Sequence, residues 1–184
     1  MTYYGSKDLA AAFRTVRGNT IQIAEDIPDN LYDFKPAPDV SSVRETLKHI
    51  AVATGFQTHI HGNKVTDMKT LNFMEIRAKF AADEAKLQTK AEIIAALKSN
   101  GDAFASYLES VPESVLAEQV AMPPGATPAT KSRFEMLMSA KEHEMHHRGQ
   151  LMTMERMNGI VPHTTRQMQE RMKSMMAAAQ PAQK

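Results

Sequence analysis

The chain has 184 residues, of which 42% are hydrophobic and 23% charged, a composition typical of a soluble globular protein with one core. Lysine plus arginine (22) nearly balances aspartate plus glutamate (21), so no strong field favours nucleic acid or an acidic membrane as partner. Cysteine is absent, which excludes disulfides, thiolate metal ligands and a cysteine nucleophile. Residues 1–7 lack the apolar core of a signal peptide, and no apolar run is long enough for a bilayer, so we expect a cytoplasmic protein.

Apolar residues recur every three or four positions along most of the chain, which predicts helices. The first helix is expected over about residues 6–26, and the proline-containing segment 28–38 then predicts an extended link. Ser42 and Glu45 have the spacing of a capping box and predict a second helix that ends near Gly62. A shorter helix is expected within the long crossover that follows, with the apolar residues Phe73, Ile76, Phe80 and Leu87.

Three more helices are predicted in the second half of the chain. Thr89 with Glu92 has capping-box spacing, and Ser132 with Glu135 opens a long helix that runs to about residue 158. A last helix is expected over about residues 164–178. Its apolar stripe consists of methionines, namely Met168, Met172, Met175 and Met176.

The remaining segment, 112–130, is rich in proline and alanine and predicts a loop. No stretch alternates convincingly with a period of two residues, so no strand is expected. The sequence therefore predicts an all-α fold in a single domain of residues 1–184. This fold is a four-helix bundle with a long crossover (core about 6–160) and an additional C-terminal helix.

Three of the seven histidines lie on the long helix predicted to begin at residue 132. His143 and His147 are one turn apart, on a stripe that continues through Ala140 and Leu151, and should face the bundle. His146 falls on the polar face and is expected at the surface. Two inward imidazoles without partners would be costly to bury, which favours a metal site over a hydrogen-bonded core.

A third ligand must come from another helix. His49 lies on an apolar stripe of the second helix, and Glu45, one turn earlier, is expected to orient it. His59 and His61 point to opposite sides of a helix and are expected in solvent or a loop, while His163 in a turn has no expected role. Three imidazoles leave coordination positions open, which is typical of catalytic rather than structural sites. Zinc, nickel, iron and manganese all accept such ligands.

Two other metal motifs overlap this helix. His143-Glu144-x-x-His147 matches the zinc-protease pattern in which the glutamate is the general base. Its longer form, with a glycine and a third histidine downstream, is missing, and no sheet edge is predicted to align a peptide. Glu144-x-x-His147 also matches half of a carboxylate-bridged di-iron site, but the second motif and the further carboxylates are missing. Both alternatives are disfavoured.

The same residues resemble a known family. The segment His143-x3-His147-Arg-Gly-Gln-Leu151 is similar to the HxxxHRGQL signature of the DinB/YfiT-like family. Residues 42–50 and 27–36 resemble its second-helix histidine pattern and the end of its first helix. The match covers about residues 7–160. It implies a four-helix bundle with a long crossover, often dimeric, in which His49, His143 and His147 bind the metal. Some members of the family are thiol-dependent transferases or isomerases.

We therefore expect a DinB-like protein with one divalent metal ion, zinc or nickel before manganese or iron. The expected activity is a transfer or hydrolytic step on a small molecule, with a low-molecular-weight thiol as a candidate cosubstrate and Glu144 as a candidate acid–base residue. The expected partners are a small-molecule substrate and a second copy in a homodimer, without nucleic acid or membrane. The alternative is a non-catalytic, stress-associated dimeric binding module with a vestigial or structural metal. An apolar pocket that opens on the metal would favour the enzyme, and a filled bundle the module.

Overall fold

The computed structural model describes residues 4–179, and helices account for most of them. The helices are α1 (Ser6–Asp26), α2 (Val43–Gly62), α3 (Phe73–Ala85), α4 (Lys90–Ser110), α5 (Glu113–Leu116), α6 (Arg133–Met157) and α7 (His163–Ala179). Two short strands, β1 (Gln119–Ala121) and β2 (Thr130–Ser132), pair in antiparallel orientation. Among these described residues, no helix combines the length and the apolar character needed to cross a membrane.

The predicted helix starts are confirmed by their caps. The hydroxyl groups of Ser42, Thr89 and Ser132 each accept a hydrogen bond from the backbone N–H of the glutamate three residues later. In α2 and α4 that glutamate also bonds back to the backbone of the capping residue. These bonds satisfy N–H groups that the helix itself leaves unpaired, so the sequence determines where α2, α4 and α6 begin.

Four long helices form the bundle. Both α1 and α2 pack against α4 and α6, so the spatial order around the bundle is α1, α4, α2, α6. Helices that follow each other in the chain, α1 and α2, therefore occupy opposite corners, and α3 lies on the crossover between α2 and α4. This arrangement confirms the predicted four-helix bundle with a long crossover. Its core includes the fully buried residues Phe13, Leu47, Leu97 and Leu151.

A buried ion pair crosses the centre of the bundle. Arg17 Nε on α1 donates to both carboxylate oxygens of Glu144 on α6, at 2.9 and 3.0 Å, and Arg17 Nη2 lies 2.9 Å from Glu144 Oε2. The other guanidinium donors reach the backbone carbonyls of Leu97 on α4 (2.8 Å) and Ile50 on α2 (3.3 Å). One arginine thus contacts all four long helices.

The segment 112–130 differs from the predicted loop. It contains α5 and β1, and β1 pairs with β2 just before α6 begins. Val120 at the centre of β1 is fully buried and packs with Ile60 and Met136. The expectation that the chain has no strand is therefore wrong. Strands of three residues are too short for an alternating pattern to be visible in the sequence.

The last helix, α7, begins at His163, one residue before its predicted start. Its first turns contact the bundle, where Arg166 Nη2 lies 2.6 Å from Asp26 Oδ2 of α1. The predicted methionine stripe instead faces solvent in the single chain. Its four side chains are 55–72% exposed: Met168, Met172, Met175 and Met176.

Candidate metal centre

The structure brings the three predicted histidines together between α2 and α6. The rings of His143 and His147 on α6 lie 4.6 Å apart between centroids, and the ring of His49 on α2 lies 5.0 Å from each. His143 Nε2 is 3.1 Å from both His49 Nε2 and His147 Nε2. The three Nε2 atoms therefore surround one point in space, as ligands of a single ion would.

These distances fit a divalent metal ion. Zinc–nitrogen bonds of about 2.0–2.1 Å correspond to nitrogen–nitrogen separations of about 3.3 Å in a tetrahedral site and about 2.9 Å in an octahedral one. The observed separations of 3.1 Å lie between these values. The geometry is thus compatible with either coordination.

The outer ring nitrogens support the same interpretation. His49 Nδ1 lies 3.2 Å from Glu84 Oε1, and His147 Nδ1 lies 2.8 Å from Gln150 Oε1. Because these oxygens accept hydrogen bonds, both Nδ1 atoms are assigned as protonated, which turns the Nε2 lone pairs toward His143. His143 has at most one proton on Nε2, and it can donate that proton to only one of these two lone pairs. A bound cation would instead be coordinated by all three Nε2 atoms.

The partner of His49 differs from the prediction. Glu84 comes from α3, and Glu45 points elsewhere: it accepts a hydrogen bond from the backbone N–H of Ser42 at 2.7 Å and pairs with Lys35 at 3.0 Å. The expectation that Glu45 orients His49 is therefore wrong, because its carboxylate is already used in the helix cap.

The two candidate ligands on α6, His143 and His147, favour the neutral form that a metal ligand requires. Burial lowers the pKa of His143 to about 4, and the neighbouring His147, His49 and His146 act in the same direction. Burial also lowers the pKa of His147, although its hydrogen bond to Gln150 opposes this shift. Neither imidazole competes with a metal by holding a proton near neutral pH.

The other histidines lie outside this cluster. His146 is exposed, as predicted, and His59 is partly exposed on the last turn of α2. His61 is buried, contrary to the prediction: Arg133 Nη1 lies 3.1 Å from its Nδ1, and Gln57 Oε1 lies 3.1 Å from its Nε2. The first turn of α6 covers this end of α2, which the position of His61 near a helix terminus did not indicate.

His163 is also buried at the start of α7, where its Nε2 lies 3.0 Å from Asn19 Oδ1 of α1. It therefore takes part in docking α7 on the bundle, a role that the sequence did not indicate.

A cavity of about 500 Å³ opens beside the cluster, with His49 and His143 among its lining residues. Parts of α1, α2, α3 and α6 line it, and Glu144 is among the lining residues. Both oxygens of Glu144 already accept from Arg17. This pairing favours a structural role for Glu144 over the acid–base role expected from the sequence.

Sequence reasoning missed two residues of the site. Arg17 carried a usable signal, because it is a charged residue on the inward stripe of α1, next to Val16 and one turn from Phe13. Glu84 carried a weaker one, because it lies one turn after Phe80 on the apolar stripe predicted for α3, although no residue of α3 is fully buried.

Comparison with known proteins identifies the family. The family model of the DinB superfamily matches residues 12–151. The uncharacterized protein YjoA of Bacillus subtilis (strain 168) is 26% identical over 146 residues, which cover 79% of this chain and 86% of YjoA.

Two solved structures share the fold. The crystal structure of YjoA, a DinB-like protein from B. subtilis, superposes with a TM-score of 0.60 at 21% identity, over 83% of this chain and 92% of that one. YfiT from B. subtilis, described as a probable metal-dependent hydrolase with an unusual four-helix bundle topology, gives a TM-score of 0.67 at 13% identity, over 87% and 91% of the two chains. Since the family model spans most of the sequence, the chain belongs to the DinB superfamily.

Proposed function

We propose that this protein is a metal-dependent enzyme that acts on a small molecule, with a divalent ion held by His49, His143 and His147. The observation that carries the proposal is the convergence of three Nε2 atoms, two of them with an oxygen on the opposite ring nitrogen. Metal-binding histidines commonly donate their second N–H to such an outer oxygen.

The cavity favours an enzyme over a non-catalytic module. A bundle that served only as a module needs no space beside its metal, whereas this chain keeps a cavity of about 500 Å³ next to the histidines. That volume lies within the range of about 300–1,000 Å³ that small-molecule sites occupy. Four-helix bundles commonly build such sites from side chains on facing helices, as α2 and α6 do here.

A divalent ion on three imidazoles supplies Lewis acidity and keeps positions free for a substrate. Zinc and nickel are the candidates we favour, because a given set of nitrogen ligands generally binds both more tightly than manganese or iron. The chain itself supplies the orientation of the ligands: Glu84 fixes the ring of His49, and Gln150 fixes that of His147. Hydrolysis is our first candidate reaction, since YfiT, which shares the fold, is described as a probable metal-dependent hydrolase.

The proposal is tested by assaying protein that has been stripped with a chelator and reloaded with zinc or nickel. The substrates are carboxylic esters, phosphate esters and amides, each also offered with a low-molecular-weight thiol to detect transfer. We expect turnover that requires the metal and disappears in His147→Ala. The matched control is His59→Ala, which removes a partly exposed histidine outside the cluster and should leave turnover intact.

Two outcomes would count against the enzyme. Turnover that survives both the chelator and His147→Ala would place the chemistry away from the three histidines. Stoichiometric metal binding without turnover on any substrate, with or without thiol, would favour the non-catalytic module instead.

A further inference from the structure

The cavity beside the histidines has mainly apolar walls. Aliphatic and aromatic side chains from α2, α3 and α6 form most of its surface: Ile50, Val52, Ala53, Phe56, Phe80 and Ala140. The candidate metal ligands His49 and His143 lie among the same lining residues. A molecule bound here would thus have one end at the histidines and the remainder against hydrocarbon.

The charged residues of this lining are paired with one another. Arg17 binds Glu144 across the bundle, and Glu84 is held by His49. Two uncharged polar residues are also joined, since Gln57 Nε2 donates to Ser139 Oγ at 3.2 Å. Among the described lining residues, each carboxylate and guanidinium therefore has its partner within the lining itself. An anionic group of a ligand would therefore lose its hydration without gaining an ion pair.

We propose that the substrate carries an uncharged alkyl or aryl group that occupies this cavity, while its ligating head reaches the three histidines. This inference rests on the proposed function, because it assigns the substrate class of the same site. It disfavours phosphorylated and polyanionic substrates, for which the cavity offers no free cation. The binding energy of such a substrate comes mainly from burial of apolar surface.

Phe80 lies where the cavity meets a wider groove of about 1140 Å³ between α2, α3 and α4, and it lines both. Its ring lies directly on Gly55, where a Cβ atom would come within 2.9 Å of Phe80 Cε1. The ring also meets Phe56 edge-on, at 6.5 Å between centroids. Val52 and Thr54 line both spaces as well, but Phe80 is the largest of the three side chains. We therefore assign Phe80 as the residue that limits the length of the bound group.

The probe for this inference is a series of straight-chain hydroxamates, from acetohydroxamate to decanohydroxamate, bound to cobalt-loaded protein. Dissociation constants are measured by calorimetry and by the visible absorption of the cobalt ion. We expect affinity to rise by up to about fourfold for each added methylene until the cavity is filled. A hydroxamate of equal length that ends in a carboxylate should lose this gain.

The length limit is tested with Phe80→Ala, which should move the chain length of maximal affinity to longer hydroxamates. Phe73→Ala is the matched control, because Phe73 also lies on α3 and packs near Phe56 (6.5 Å between centroids) but is absent from both linings. It should leave the optimum unchanged.

Three results would overturn the inference while the proposed metal site stands. They are affinity that does not change with chain length, equal affinity for the carboxylate-ended probe, and no hydroxamate binding to cobalt-loaded protein. Failure to bind cobalt at all would instead overturn the proposed function and this inference with it. The series on the parent protein decides the substrate class even if Phe80→Ala does not fold.

Discussion

Helix α6 buries two carboxylates in opposite environments. Glu144 is 2% exposed and Glu155 is 1% exposed, so burial does not distinguish them. Glu144 accepts from Arg17, whereas neither oxygen of Glu155 has a hydrogen-bond partner among the described residues. Burial raises the pKa of Glu155 to about 7, and the nearby Asp26 acts in the same direction.

The difference shows that the hydrogen-bond partner, rather than the depth of burial, determines whether a buried carboxylate favours its charged or its protonated form. Glu144 ties α6 to α1 through Arg17, at the level where the metal-binding residues are proposed. Glu155 lies at the α7 end of the bundle, where the two nearby cations, Arg166 and Arg156, bond to other groups instead. The first carboxylate should stabilise the fold as an anion, and the second should stabilise it only when it holds a proton.

The largest effect is expected from breaking the central ion pair. Glu144→Ala leaves the guanidinium of Arg17 buried without its partner and should lower the free energy of unfolding by about 3–5 kcal/mol. Arg17→Met should cost a similar amount for the converse reason. Urea unfolding measures both, and Glu142→Ala, on the exposed face of α6, should change stability by less than about 0.5 kcal/mol. A loss below about 1 kcal/mol for Glu144→Ala would mean that the pair behaves as a surface salt bridge.

The second prediction concerns pH. Since folding raises the pKa of Glu155 from its ordinary 4.5 to about 7, its contribution is present below about pH 4.5 and is lost as pH rises toward 7. Glu155→Gln removes this loss, so it should stabilise the protein by about 3 kcal/mol at about pH 8 and have little effect at about pH 4. Urea unfolding at both pH values provides the measurement.

Parent and variant must be compared at each pH, because other groups also titrate. Burial and Arg133 lower the pKa of His61 to about 4, which reduces the stability of both proteins alike as pH falls below about 6.5. Parallel pH profiles for the parent and Glu155→Gln would contradict the assignment.

A third prediction concerns the space around the side chain of Arg17, the partner of Glu144. A Cβ atom on Gly101 of α4 would lie 2.8 Å from Arg17 Cγ, so Gly101→Ala should displace the arginine and destabilise the protein by about 1–3 kcal/mol. Gly18→Ala on α1 is the matched control, since no atom lies within 4 Å of its added Cβ. It should stabilise the protein by about 0.5–1 kcal/mol, through helix propensity alone. Thermal unfolding should give shifts of opposite sign, and equal signs would refute the steric argument.

The smallest effect is expected at a third carboxylate, Glu84, which is only partly buried and contacts His49. Glu84→Gln keeps the shape but weakens the orientation of the imidazole, so the affinity for zinc should fall by about tenfold, or about 1.4 kcal/mol. The matched control is Asp83→Asn, because Asp83 pairs with Lys86 rather than with a histidine. Competition with a chromogenic chelator measures both affinities, and equal values would show that Glu84 does not position His49.

The sequence predicted the parts of the fold that depend on local patterns. Caps at Ser42, Thr89 and Ser132 determine where three helices begin, and helix periodicity brought His143 and His147 to one face. The family resemblance and the apolar stripe of α2 both indicated His49. These signals are local, so one sequence is enough to detect them.

The remaining features depend on contacts between distant segments. Glu84 meets His49 from a helix with no buried residue, and His61 is buried because Arg133 approaches from α6. The pairing of β1 with β2 joins segments too short to show a period. The solvent-facing methionines of α7 show that a predicted apolar stripe need not find a partner within its own chain. The expected homodimer stays a prediction.

Metal content is the most direct test of the three-histidine site. Untagged protein, supplied with zinc or nickel and then dialysed, is analysed for metals beside His143→Ala/His147→Ala and the control His59→Ala. We expect close to one ion per chain in the parent and in His59→Ala, and loss of the ion in the double variant. A parent that retains no metal, or a double variant that retains as much as the parent, would contradict the site.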